Sequence, residues 1–126
     1  MMFFWVSLAV AAAGGVGSVC RFTLDGFVKS RTRLAYPLGT TVINITGSFF
    51  LGFVTALALA HALPDAWKSI LGTGLIGGYT TFSTASFETV RLAQEGRWGA
   101  ATMNGLGMFA GAIIAGGIGL WLGGFF

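Results

Sequence analysis

The sequence predicts an all-α membrane protein, a single domain over 1–126 with four transmembrane helices, the third broken near its middle. Three observations carry that expectation. First, 55% of the 126 residues are hydrophobic and 9% are charged, against about a quarter charged in a typical soluble domain. Second, the 21 glycines sit inside apolar runs, not in a collagen period, and glycine is frequent in membrane helices because it lets backbones approach closely. Third, charged residues gather in short stretches that divide the chain into four apolar segments.

Each segment approaches the roughly 20 mostly apolar residues that a membrane helix needs. The first spans 2–22 and carries no charge before Arg21. It lacks the basic start and short apolar core of a secretory signal, so it is expected to remain in the mature chain. A polar stretch from Asp25 to Arg33 follows, and the second span covers 37–62, with Pro37 suited to opening a helix. His61, Pro64, Asp65 and Lys68 mark a short hairpin, with His61 expected simply to be solvated. The third span covers 67–93 and the fourth 98–124, separated by Glu95, Gly96 and Arg97. Trp5, Trp67, Trp98 and Trp121 lie near span ends, where amphipathic rings favour the membrane interface.

An even number of spans puts both termini on one side. Arg21, Lys29, Arg31, Arg33, Arg91 and Arg97 then share one face, and Lys68 stands alone on the other. The positive-inside rule places the six in the cytoplasm and both termini outside. These flanking charges report topology. With no basic stripe interleaved with aromatics, the net charge of +3 does not indicate nucleic acid. The lone Cys20 excludes an intrachain disulfide.

Three clusters stand out within the spans. Gly107, Gly111, Ala115, Gly119 and Gly123 recur every four residues along the fourth span, making a smooth face for an intramolecular or dimer contact. Thr40, Asn44 and Ser48 share one side of the second. Asn44 lies deep in an apolar helix, where its amide serves either to bond neighbouring helices or to receive a polar solute. In the third span, Gly72, Gly74, Gly77 and Gly78 lead into Tyr79-Thr80-Thr81-Phe82-Ser83-Thr84-Ala85-Ser86. Glycines followed by β-branched and hydroxyl residues make a poor continuous helix. A break there frees backbone groups at membrane depth, which is tolerated only inside protein or along a wet cavity.

No Asp or Glu lies centrally in any span; Glu88 comes closest. That argues against a proton-coupled exporter, and the absence of metalloprotease, nucleophile-elbow and phosphate-loop motifs argues against an enzyme. A polar but uncharged path suits passive conduction, because fixed charge would hold a counter-ion too tightly.

The motifs are specific when taken together. Gly14-Gly15-Val16-Gly17 with Cys20-Arg21-Phe22, then Gly39-Thr40 with Asn44, Gly47 and Gly52, then Gly77-Gly78-Tyr79-Thr80-Thr81-Phe82-Ser83-Thr84 with Glu88 occur in that order. In these features the chain resembles the Fluc (CrcB) family of fluoride channels over essentially its whole length. The resemblance implies an antiparallel, dual-topology dimer in the plasma membrane of a prokaryote (the cell inner membrane), with two fluoride pathways. It also implies a structural sodium ion at the dimer centre, held by the backbone carbonyls of Gly77 and Thr80. Asn44 would donate to fluoride, Phe82 would present a positive ring edge, and Ser83 and Thr84 would contribute hydroxyls, with Thr40 and Ser48 along the path. Arg21, Gly107, Gly111 and Gly119 would be structural.

The chain departs from the family pattern at two positions. The second phenylalanine usual three residues after the first is Ala85 here, and Phe87 is displaced by about 200° around a helix. Ala112 stands where relatives tend to have a serine. The charge asymmetry, six against one, favours one orientation, so the second subunit is expected to be either an identical chain or an oppositely oriented relative. Two competing expectations are a small antiparallel-dimer exporter of cations or drugs, which would need an acidic residue in the first span, and a non-conducting partner subunit.

Overall fold

The computed structural model describes residues 1–32, 37–60 and 63–126; Arg33 and His61 lie outside them. α1 runs over Met2–Arg31 and α2 over Leu38–Leu59. α3 occupies 65–79, with π-helical hydrogen bonding over Ser69–Ile76. α4 is Phe82–Gln94, and α5 is Trp98–Gly123, π-helical over Met103–Gly107. α1, α2 and α5 are each long and apolar enough to cross a membrane. The remaining crossing is made in series by α3 and α4, on either side of an interruption at Thr80 and Thr81.

α1 continues past Phe22, and the segment expected as a polar loop is helical through Arg31. Asp25 and Lys29, one turn apart, form an ion pair at 3.0 Å. Lys29 and Arg31 occupy the last turn, where positive charge favours the helix dipole. The Arg31 guanidinium lies over the Phe27 ring, 4.9 Å from its centroid. Charge therefore extends this helix instead of ending it. Pro64 precedes α3 in extended conformation, with Asp65 in the first turn. Gly96, at φ 76°, makes the left-handed turn between α4 and α5, which a residue with a Cβ adopts only under strain.

Two glycine-meshed crossings build the frame. α2 lies along α5: a Cβ on Gly119 would fall on Phe49 O, and one on Gly52 would fall on Gly116 O. Gly111 faces Ile45, Gly123 faces Phe53 and Ala56, and Ala115 is buried between them on the same face. The small-residue stripe is thus an intramolecular contact, except at Gly107, which meets the Met103 side chain of its own helix. α1 crosses α3 in the same manner. Cβ atoms on Gly17, Gly74 and Gly78 would strike Leu75 O, Val10 O and Gly14 O respectively. Gly74 and Gly78 therefore serve this approach rather than interrupting the helix, which breaks two residues after Gly78. The four tryptophans are all more than half exposed, as interfacial rings should be.

Candidate functional site

The interruption is short and fully specified. Thr80 has ψ 160° and Thr81 has φ −148° and ψ 119°, both extended, a conformation that suits β-branched residues. In an unbroken helix Thr81 N–H would bond Gly77 O, and Thr84 N–H would bond Thr80 O. Instead, Thr81 N–H donates to Asn44 Oδ1 at 2.9 Å. Thr84 N–H donates to Thr81 Oγ1 at 3.2 Å, so Thr81 caps α4. The helical donors of the Gly77 and Thr80 carbonyls are both diverted.

Asn44 closes the break from α2. Besides accepting from Thr81 N–H, it donates from Nδ2 to Thr81 O at 2.9 Å and to Met108 Sδ at 3.2 Å. One amide thereby satisfies both backbone groups of an extended residue, which could not otherwise sit at membrane depth. Gly47, one turn further on, leaves room for Thr80: a Cβ there would overlap Thr80 Cγ2. Tyr79 anchors the end of α3 through a 2.9 Å hydrogen bond between its hydroxyl and Thr46 Oγ1.

A groove of about 630 Å³ opens beside the break, walled by α2, α3, α4 and α5. Its polar points are Asn44, Ser48, Thr80, Thr81, Ser86, Thr89 and Asn104, and among the described residues no charged side chain or histidine lines it. Of the residues singled out from the sequence, Asn44, Ser48, Thr80 and Phe82 meet here. Phe82 stands at the rim, 87% exposed. Ser83 and Thr84 are exposed and off the groove. Thr40 is buried and also off the groove, with its side chain at Glu88. Glu88 shares that end with Asp25, Lys29 and Arg91, and its Oε1 is buried without a hydrogen-bond partner among the described residues. Gly77 is exposed on α3. Arg21 is half-buried, its guanidinium 5.9 Å from the centroid of the Phe22 ring.

Ala85 and Ala112 both line the groove, whereas Phe87 is exposed and does not. Phe87 therefore does not replace a ring at position 85, as its angular offset requires. Asn104 and Met108 are among the lining residues that the sequence reading does not single out. Asn104, 1% exposed, donates from Nδ2 to Thr89 Oγ1 at 2.7 Å and to Ala85 O at 3.2 Å, while its Oδ1 has no partner among the described residues. Met108, also buried, contacts Asn44 as above. An amide inside an apolar span is the signal that marked Asn44, and it applied equally to Asn104. A methionine in an apolar helix carries no such signal.

The chain matches the family described as "CrcB-like protein, Camphor Resistance (CrcB)" over residues 8–123. It belongs to the CrcB family. Among its relatives, "Fluoride-specific ion channel FluC 1" of Leifsonia xyli is 63% identical, over 94% of this chain and 87% of that one. "Fluoride-specific ion channel FluC 2" of Cutibacterium acnes is 45% identical, over 98% of both. "Fluoride-specific ion channel FluC" of Acidobacterium capsulatum is 37% identical, over 98% of this chain and 93% of its own. The apolar spans and the bacterial relatives together make this CrcB chain a multi-pass protein of a prokaryotic plasma membrane.

Proposed function

We propose that this chain is a subunit of a passive, fluoride-selective channel, not an enzyme, through which fluoride leaves the cell. The observation that carries the proposal is the uncharged groove at a helix break whose backbone is held by Asn44. Neutral donors can replace water around an anion without trapping it, and fluoride is a strong hydrogen-bond acceptor. The names of the similar chains agree with this reading.

The functional unit in this reading is an antiparallel dimer. Phe82, Ser83 and Thr84 are exposed on the isolated chain, and hydroxyls at membrane depth favour a protein neighbour over lipid. A structural sodium ion at the dimer centre fits the diverted carbonyls of Gly77 and Thr80: each is an oxygen acceptor that has lost its helical donor, and hard cations take such ligands. The ion would supply positive charge between the two subunits.

The charge asymmetry supports a second form of the same reading, in which the partner is an oppositely oriented relative. In the sequence Arg21, Lys29, Arg31, Arg33, Arg91 and Arg97 flank one set of span ends, against Lys68 at the other. Ala85 and Ala112 leave this subunit's groove without a second ring or a hydroxyl at those positions.

Liposomes holding the purified chain, loaded with fluoride or with chloride, test the proposal. Fast fluoride efflux without chloride efflux is expected if one chain type suffices. Efflux only after co-purification with a second chain would select the heterodimer. No fluoride efflux from folded protein under either condition would sink the channel reading.

A further inference from the structure

Asn44 makes three hydrogen bonds of unequal strength. Two join its amide to the Thr81 backbone at 2.9 Å each and hold the helix break together. The third runs from Nδ2 to Met108 Sδ at 3.2 Å, and a thioether is a weak acceptor. Only the third can be exchanged without disturbing the break. Both residues line the groove, so an anion in it reaches the amide beside the sulfur. A methionine side chain has three rotatable bonds and can withdraw at little cost.

We infer that Met108 sets which anions can take an N–H from Asn44, making the thioether a positioning residue and a determinant of selectivity. The inference rests on the channel reading above and deepens it. An anion that accepts hydrogen bonds more strongly than a thioether displaces the sulfur and gains the amide proton. A larger, more weakly accepting halide competes poorly and meets an apolar side chain instead. Ala112, one turn along the same helix and also lining the groove, offers no donor beside the sulfur, so at this point of the groove the choice between anion and thioether falls on the Asn44–Met108 pair.

Two variants separate the sulfur from its volume. Met108→Leu fills nearly the same space, a swap that cores usually tolerate, but removes the acceptor. Met108→Gln puts a carbonyl, a stronger acceptor, within reach of Asn44. In micelles of the full chain, the Asn44 side-chain NH₂ resonances are followed by ¹⁵N NMR while sodium fluoride, or sodium chloride as control, is titrated in. With the native methionine, fluoride should move one of the two amide protons and chloride should not. In Met108→Leu the same shift should appear at several-fold lower fluoride, and chloride should begin to produce it. Met108→Gln should require several-fold more fluoride. Liposome efflux should follow the same order, with the chloride-to-fluoride ratio raised in Met108→Leu.

Identical titrations and anion ratios in the native chain and both variants would overturn the inference, even while fluoride efflux persists. An Asn44 amide that never responds to fluoride would overturn it too. If efflux is absent both alone and with a co-purified second chain, but the Asn44 resonances respond in the expected order, the channel reading fails and the role of Met108 stands as an anion-binding property.

Discussion

α2 meets the rest of the chain in two unlike ways. Along Phe49, Gly52, Phe53 and Ala56 it lies against α5, backbone nearly on backbone, through the absence of side chains at Gly52, Gly119 and Gly123. About one turn earlier, at Asn44 and Gly47, it meets the interruption between α3 and α4 through an amide that bonds both backbone groups of Thr81. The first contact is van der Waals packing, the main source of helix association in lipid. The second exists because two extended residues at membrane depth must find partners. The close crossing fixes where α5 stands, and the polar crossing holds open a feature that packing alone would close. The groove lies beside the polar crossing, with α5 as one wall.

The strongest way to break this contrast is Asn44→Asp. Its second carboxylate oxygen would face Thr81 O in place of a donor, and Met108 Sδ would lose its N–H. Leaving a buried acceptor unsatisfied costs about 1–3 kcal/mol of stability, and the carboxylate beside the groove repels an anion as well; a barrier raised by about 1.4 kcal/mol or more lowers fluoride efflux roughly tenfold or more. The folded, monodisperse fraction should drop less than the efflux does. Equal losses in both measurements would mean that Asn44 only braces helices.

Gly119→Ala attacks the other crossing. Its methyl would fall on Phe49 O, which is backbone and cannot swing aside. Overpacking of this kind costs about 1–3 kcal/mol, so the chain should melt several degrees lower in detergent. The surviving folded fraction should keep its anion selectivity. A change in selectivity at unchanged stability would show that the two crossings are coupled.

Much of this arrangement was legible before any coordinates. Apolar length marks α1, α2 and α5 as spans, the four-residue period marks the α5 face, and the clustered Thr and Ser residues mark where the third segment breaks. Charge after Phe22 reads as a loop signal in the sequence, whereas Asp25 and Lys29 pair along a helix that continues through Arg31. In the sequence Gly74 and Gly78 read as part of the break, together with the β-branched and hydroxyl residues that follow. Their missing side chains instead admit Val10 and Gly14 of α1, a partner that no local pattern identifies. For Asn44, composition left helix bonding and solute binding both open. The structure gives it a bonding partner at Thr81 and leaves its third hydrogen bond on a sulfur, which only tertiary placement could reveal. Asn104 had the same sequence signal as Asn44, and each lies six residues into its helix; what sets Asn44 apart is its place beside the helix break, which the sequence does not give.

Thr81→Ala probes the break from its own side. It removes the hydroxyl that accepts Thr84 N–H but leaves both backbone bonds to Asn44 in place. Loss of an N-cap costs about 1 kcal/mol, and amide exchange in the first turn of α4 should accelerate accordingly. Exchange at Asn44 itself should not change. If the Asn44 amide also loosens, the cap and the amide act as one unit, and the polar crossing extends into α4.

The smallest expected effect is at Gly117, which lies on α5 beside Gly116 and Gly119 but faces outward. A Cβ there meets nothing within 4 Å in the isolated chain. Helix propensity alone favours alanine over glycine by up to about 1 kcal/mol, so Gly117→Ala should leave monomer stability unchanged or slightly raised. Alanine scanned at Gly117 and Gly119 thus isolates close approach from glycine content, since both residues sit in the same helix and the same lipid depth. Oligomeric state adds a second readout. If Gly117→Ala keeps the monomer stable but dissociates a dimer on native gels, that face of α5 touches the second subunit, and close approach through glycine extends from within the chain to between chains.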